Sequence, residues 1–476
     1  MYKWFIIIWL LPMISNIRSY GQTNGHEKNP PNIIFILADD MGFGDPQCYN
    51  PESKISTPHI DKLALQGMKF MDAHSAGSWC VPSRYGLMTG QYPLRKHMDV
   101  KNGALIDQGQ LTIASLLKRN GYATAMIGKW HLGFEGVSDW GKVDYSKKLT
   151  GGPIDRGFDY FFGMHASLDI PPYFFIENDQ VISAPTEDIA GNQSPDATTT
   201  ISGAFWREGK VAPGFKHVEV LPTFTDKALS FLEKEATSKT TKPFFLYFAL
   251  TAPHTPWVTT PDFAGKSKVG EYGDFTMQVD HTVGEIMKAL DRLGLDKNTI
   301  LVFTSDNGPV WFKEDIEKYN HRATAQFRGM KIDSYEGAHR VPFIVRWPGK
   351  VKPNSSSDQL MCFTDILPTL ADVVGDPLSS QESKDNFSLL PILLDKGNGK
   401  RNGLVVEGHT IREGDWKLIF GNGTGSLQKK YGKIPAPSIE GELYNLKVDP
   451  SETTNLYTKQ PEKVAELIKR MEGYRE

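Results

Sequence analysis

The chain has 476 residues, 39% hydrophobic and 23% charged, enough for one large α/β core with a smaller companion and ordinary for a folded soluble protein. A net charge of −3 offers no basic field to draw nucleic acid, so none is expected as a partner. An anionic ligand would have to be gathered by a local cluster of cations.

Lys3 precedes an apolar run from Trp4 to Ile14, and a short polar stretch ends near Gly21. This pattern reads as a secretory signal peptide over 1–21, with an apolar core too short to span a bilayer. No other segment reaches about 18 uninterrupted apolar residues, so no membrane span is expected. The mature chain is expected to be soluble and exported, either periplasmic or secreted. Three cysteines, Cys48, Cys80 and Cys362, are too few for a disulfide framework. Cys48 and Cys362 either pair or stay buried and free.

From Asn32 onward, short apolar runs alternate with helical periodicity. Residues 32–38 read as a buried strand that ends at Asp39-Asp40. Cys80 stands just before a helix expected over 83–89. Ile113, Leu116 and Leu117 mark a second helix stopped by Gly121, and a strand over 123–127 leads into Lys129, Trp130 and His131. The Pro/Ser/Thr-rich stretch near 184–203 reads as loop. A strand at 244–250 is followed by His254, and one at 300–304 runs into Asp306-Asn307-Gly308, with a helix carrying Val279, Val283, Ile286 and Leu290 between them. A further strand is expected at 342–347. Strands interleaved with helices argue for an α/β fold whose sheet is largely parallel or mixed and covered on both faces. Beyond a helix around 364–374 the texture changes. A Gly/Lys/Asn-rich linker over 396–402 precedes strands at 404–406 and 416–420, then a helix with Val464, Leu467, Ile468 and Met471 on one face. The expected division is a main domain over 30–395 and a small α+β subdomain over 396–476, with an antiparallel sheet and a helix.

In open α/β sheets, ligands sit beyond the carboxyl ends of the strands. Asp39, Asp40, Asp306 and Asn307 would meet there, and this set of oxygens suits a hard cation such as Ca²⁺ or Mg²⁺. Lys129, His131 and His254 would converge on the same edge, supplying positive charge and groups that exchange protons near neutral pH. Metal, cations and proton carriers together suit hydrolysis of an anionic ester. Cys80 lies at a helix N-terminus, which stabilises negative charge. It reads either as a buried thiol or as a functional group, and a plain thiol is a poor partner for a hard cation.

Cys80-Val81-Pro82-Ser83-Arg84, followed by the run from Leu87 to Pro93, resembles the Cys-x-Pro-Ser-Arg signature of type I sulfatases, within the alkaline phosphatase superfamily. The run from Gly121 to Gly133 is similar to that family's second signature. The resemblance extends through the segments at 252–256, 304–308, 331–337 and 442–456, and the general look is closest to arylsulfatases and galactosamine-6-sulfatases. It implies an alkaline-phosphatase-like sandwich: a large mixed central sheet flanked by helices, with the catalytic domain over 30–395. It further implies that Cys80 is oxidised by a formylglycine-generating or sulfatase-maturating enzyme to formylglycine, whose hydrated aldehyde is the nucleophile. Asp39, Asp40, Asp306 and Asn307 would join residue 80 around Ca²⁺, and Arg84 would support that residue. Lys129 and Lys331 would neutralise the sulfate oxygens, His254 would protonate the leaving group, and His131 would take a proton when sulfate is expelled. His165, Ser167 and Asp169 occupy a segment resembling the one that lies near substrate in the family. The implied substrate is a sulfated carbohydrate of a polysaccharide or glycosaminoglycan. The alternatives are a phosphoesterase or phosphonate monoester hydrolase of the same superfamily, and an inactive glycan-binding homologue.

Overall fold

The computed structural model describes residue 1 and residues 30–475 except 241, 383 and 433–438. The leader expected over 1–21 therefore lies, Met1 apart, outside the described residues.

The main sheet has ten strands: β1 (Asn32–Asp39), β2 (Met68–Phe70), β3 (Ala123–Lys129), β4 (Tyr160–Met164), β5 (Ile176–Glu177), β6 (Gln180–Val181), β7 (Phe244–Pro253), β8 (Thr299–Ser305), β9 (Phe343–Arg346) and β10 (Ser355–Ser357). Their spatial order is β10-β2-β9-β8-β1-β7-β3-β4-β5-β6. The five central strands β8-β1-β7-β3-β4 are all parallel, and antiparallel neighbours flank them on each side. Parallel strands covered on both faces carry continuous apolar runs, and every residue of β1 and β7 is buried. Ile33, Phe35 and Leu37 point into one core, Ile34, Ile36 and Ala38 into the other. The second core is closed by helices α1 (Pro58–Gln66), α4 (Val220–Thr237) and α5 (Gly270–Arg292), the first by α2 (Cys80–Thr89), α3 (Ile113–Arg119) and α6 (Ile366–Val374).

Strands β11 (Gly403–Val406), β12 (Thr410–Glu413), β13 (Trp416–Phe420) and β14 (Gly441–Asn445) form a separate antiparallel sheet, with α7 (Pro461–Arg475) packed against it through Val464, Leu467 and Met471, while Ile468, expected on the same face, is exposed. No helix among the described residues is long and apolar enough to cross a membrane.

Two further details depart from the sequence expectations, and one alternative left open is settled. Helix α2 starts at Cys80, three residues before the expected 83, because Pro82 sits in the first turn, where its missing N–H leaves no hydrogen bond unmade. The 184–203 stretch is not all loop: Glu187–Ile189 pairs antiparallel with Gly209–Val211. The three cysteines are all free, which closes the question of a Cys48–Cys362 bond.

Candidate active site

The parallel strands deliver their carboxyl ends to one edge. β1 ends in Asp39 and turns at Asp40, whose φ of 66° is left-handed. β8 hands over to Asp306 and Asn307, β7 to His254, and β3 ends at Lys129. The close fit of β3 against β7 requires glycine at 128. Its φ is +115°, and a Cβ there would lie 1.7 Å from the Ala249 carbonyl oxygen.

The side chains at this edge form one buried charged cluster. Lys129 Nζ donates to Asp39 Oδ2 at 2.7 Å, and Lys331 Nζ lies 2.7 and 2.9 Å from the two carboxylate oxygens of Asp40. Arg84, on the second turn of α2, donates to Asp306 Oδ2 from Nε at 3.0 Å and to the Lys129 carbonyl at 3.0 Å. Asp306 Oδ1 accepts the Asp40 backbone N–H at 3.1 Å, and Asn307 Nδ2 donates to Asp40 Oδ1 at 2.7 Å. Cys80, 3% exposed, offers its sulfur within the same 4.8 Å group as Asp39, Asp40 and His254. His254 Nε2 lies 3.5 Å from Asp40 Oδ2, while its Nδ1 donates to the Thr255 carbonyl at 2.7 Å.

Two oxygens in this cluster, Asp39 Oδ1 and Asn307 Oδ1, are buried and accept no hydrogen bond. Buried acceptors are ordinarily paired, so these two, beside the carboxylates of Asp40 and Asp306, fit the all-oxygen donor set of a hard divalent cation. The electrostatics point the same way. Burial alone would raise the pKa of Asp39, yet Lys129, His254, Arg84 and Lys331 outweigh it and hold the carboxyl well below its usual range. Asp306 goes the other way: burial and the nearby Asp39 charge push it up to about 6. Burial also raises the Cys80 thiol, against the pull of Lys129 and Lys331, so it stays protonated at neutral pH. His131 is held well below the usual imidazole range by burial, then by Lys129 and Arg84, and its buried Nδ1 has no partner.

The segment after β4 divides. Asp169 joins the cluster, with Oδ1 3.8 Å from His254 Nδ1, and Ser167 Oγ is buried without a partner. His165 faces elsewhere: its Nε2 bonds the Pro172 carbonyl at 2.9 Å, and it packs with Trp140 and Phe174 beside a cavity of about 500 Å³ that His131 also lines. Two neighbours of Asp169 were not singled out from sequence. Arg207 pairs with its carboxylate, and His217 stacks on Trp206 at 4.4 Å with a buried, unpartnered Nε2. Both lie in a stretch without periodicity or motif, so no local signal marks them.

The sulfatase family model matches residues 31–376, and a model described as N-sulphoglucosamine sulphohydrolase, C-terminal, matches 330–476. The chain is 36% identical to an N-acetylgalactosamine-6-O-sulfatase of Bacteroides thetaiotaomicron, with 98% of each covered. It is 32% identical to human arylsulfatase A, over 90% of this chain and 83% of that one. Among solved structures, a protein from a study of glycosaminoglycan metabolism by Bacteroides thetaiotaomicron superposes with a TM-score of 0.80 at 35% identity, covering 94% of this chain and 99% of that one.

Proposed function

The chain belongs to the sulfatase family and is a sulfuric ester hydrolase, and on that premise we propose that it removes sulfate from a sulfated sugar, with residue 80 matured to formylglycine beside a calcium ion. The observation that carries this reading is the pair of orphaned oxygens on Asp39 and Asn307, set among Asp40, Asp306, Lys129 and Lys331 next to residue 80. When bound, the calcium ion supplies positive charge toward a sulfate oxygen, and the formylglycine hydrate supplies the attacking hydroxyl that a protonated thiol does not. Asp39, Asp40, Asp306 and Asn307 are the residues that would hold the ion.

The chain's own residues do the rest. Lys129 and Lys331 face the same carboxylates that would bind the cation; with the ion there, their charge is free to act on the sulfate as negative charge builds on it. Arg84 fixes Asp306 and the Lys129 backbone relative to the start of α2. With Nδ1–H committed to the Thr255 carbonyl, His254 has Nε2 left to carry a proton to the departing alkoxide. His131, kept neutral by burial and neighbouring cations, is suited to accept a proton when sulfate leaves. Asp169, Ser167, Arg207 and His217 form the neighbouring wall toward the sugar, and His165 lines the side cavity.

N-acetylgalactosamine 6-sulfate is the first substrate to try, because a relative of that printed activity matches over the full chain length. The same reading includes export to the periplasm or outside the cell and maturation by a formylglycine-forming enzyme. Two measurements test it. Mass spectrometry of the peptide containing residue 80, from active protein, should find the aldehyde rather than the thiol. Sulfate release from N-acetylgalactosamine 6-sulfate should exceed phosphate release from the matching 6-phosphate; a preference for phosphate would overturn the assignment in favour of a phosphoesterase.

A further inference from the structure

We propose that Glu407, in the C-terminal sheet, is a positioning residue for the segment that carries residue 80. It sits in the turn between β11 and β12, with a left-handed φ of 51°. Its Oε1 accepts the backbone N–H of Ser78 and the Ser78 hydroxyl, the latter at 2.8 Å, and its Oε2 accepts the indole N–H of Trp79 at 3.0 Å. One carboxylate thus takes up three donors from the two residues immediately before residue 80.

Trp79 is the N-cap of α2 and makes no side-chain cap, so the helix that begins at residue 80 lacks the usual anchor at its entry. Ser78 is also the point where a second active-site segment attaches: its carbonyl accepts the N–H of Ile332, the residue after Lys331, at 2.8 Å. Ile332 holds a φ of 74°, costly for a β-branched residue and a mark of a backbone held by its surroundings. Ser78 therefore ties the loop of residue 80 to the loop of Lys331, and Glu407 fixes that junction from the C-terminal sheet. The carboxylate makes these contacts outside the charged cluster, so its influence on the reaction passes through Ser78 and Trp79. Loss of such a brace lets the nucleophile and Lys331 shift relative to each other, and a misplacement of about 1 Å can cost on the order of 100-fold in rate.

The inference rests on the reading of residue 80 as the nucleophile, and its test separates the two. Full-length Glu407→Ala and Glu407→Gln are assayed on N-acetylgalactosamine 6-sulfate, with aldehyde content at residue 80 measured by mass spectrometry so that rates are per matured site. Hydrogen exchange of the peptides spanning Ser78 and Ile332 is followed in parallel. The expected result is kcat lowered about 10- to 100-fold in Glu407→Ala with KM within about twofold. Glu407→Gln, whose amide oxygen still accepts, should recover part of the loss, and exchange at Ser78 should quicken in Glu407→Ala. Adding Ser78→Ala to Glu407→Ala should cost little more, because the two act as one unit. A raised KM with kcat unchanged would make Glu407 a sugar contact instead. Unchanged kinetics with faster Ser78 exchange would make it a brace without catalytic consequence; either outcome overturns the proposal. If the wild-type chain released no sulfate, the reading of the site would fall first, whereas unchanged Ser78 exchange in Glu407→Ala would remove the brace itself.

Discussion

Lys129 and Lys331 each face one carboxylate of the adjacent pair Asp39-Asp40, and both ammonium groups are buried. For Lys331, burial favours loss of the proton, but Asp40, Cys80, Asp39 and Asp306 outweigh it and hold its pKa well above the usual value. A cation held in this position is suited to the role proposed for it, stabilising developing negative charge. Replacing Lys331 by Ala should lower kcat for sulfate release about 10²- to 10³-fold. Lys331→Arg should not restore the rate, because a planar fork does not occupy the place of a compact ammonium. A loss under tenfold, measured per matured site, would take Lys331 out of the chemistry. Most residues of this cluster were legible in the sequence for one reason: each follows directly on a buried strand, and a parallel sheet brings such positions together. Arg207, His217 and Glu407 were not legible. Glu407 meets Ser78 across 329 positions of chain, and no local pattern encodes a contact of that range.

Single elements were readable from period and punctuation, but their ends and supports were less so. Helix α1 begins at Pro58, and its N-cap Thr57 makes no side-chain cap. The missing acceptor comes from a distant helix: Asp280 on α5 takes the N–H of His59 at 3.0 Å and of Ile60 at 2.8 Å. An aspartate among the apolar positions of an amphipathic helix reads as an interruption, and only the packing of α1 on α5 turns it into a cap. Burial pushes its carboxyl up to about 7, although the two N–H groups pull the other way. The folded state thus holds the proton more tightly than the unfolded chain, whose Asp titrates near 3.9. The stability tied to that proton is complete below the unfolded value and is lost as pH rises through about 7. Asp280→Asn keeps an acceptor but cannot ionise. Denaturant unfolding at pH 5 and pH 8 should show the stability difference moving in favour of the Asn variant at the higher pH, by at most about 1.4 kcal/mol per pH unit. A shift toward wild type would contradict the sign.

At the scale of the whole molecule, the two sheets are joined by a buried charged network. Asp72, His74, Glu336, His339 and Arg340 come from the main domain, and Arg412 and Lys417 from β12 and β13. His74, Glu336 and His339 lie close enough to hold a metal ion, but their atoms are already committed. Lys417 Nζ is 3.2 Å from His339 Nε2, which therefore accepts; His339 Nδ1 then donates to His74 Nδ1 at 2.9 Å, and His74 Nε2 donates to Asp72 at 2.8 Å. Both imidazoles are neutral in this chain of bonds, and burial, which lowers both pKa values, favours that form. Arg340 and Arg412 hold Asp72, and Arg340 also Glu336, while Lys417, fully buried, is the cation shared by Glu336 at 3.1 Å and Glu452 at 2.8 Å. The sequence gives no hint of this, because a lysine in a short strand reads as an outward-facing residue. Lys417→Met would take from Glu452 the cation beside it, while Glu336 keeps Arg340, and breaking such a buried pair costs about 3–5 kcal/mol. Glu452 sets how that cost varies with pH. Burial and the charge of Glu336 already raise it to about 7, so at pH 5 it takes up a proton and relieves the repulsion, whereas at pH 8 both groups are driven to ionise. The loss of stability in Lys417→Met should therefore be larger at pH 8 than at pH 5, measured by denaturant unfolding. If it were equal at the two values, or below about 1 kcal/mol at both, the joint between the sheets would be held by apolar packing instead, with the lysine incidental to it.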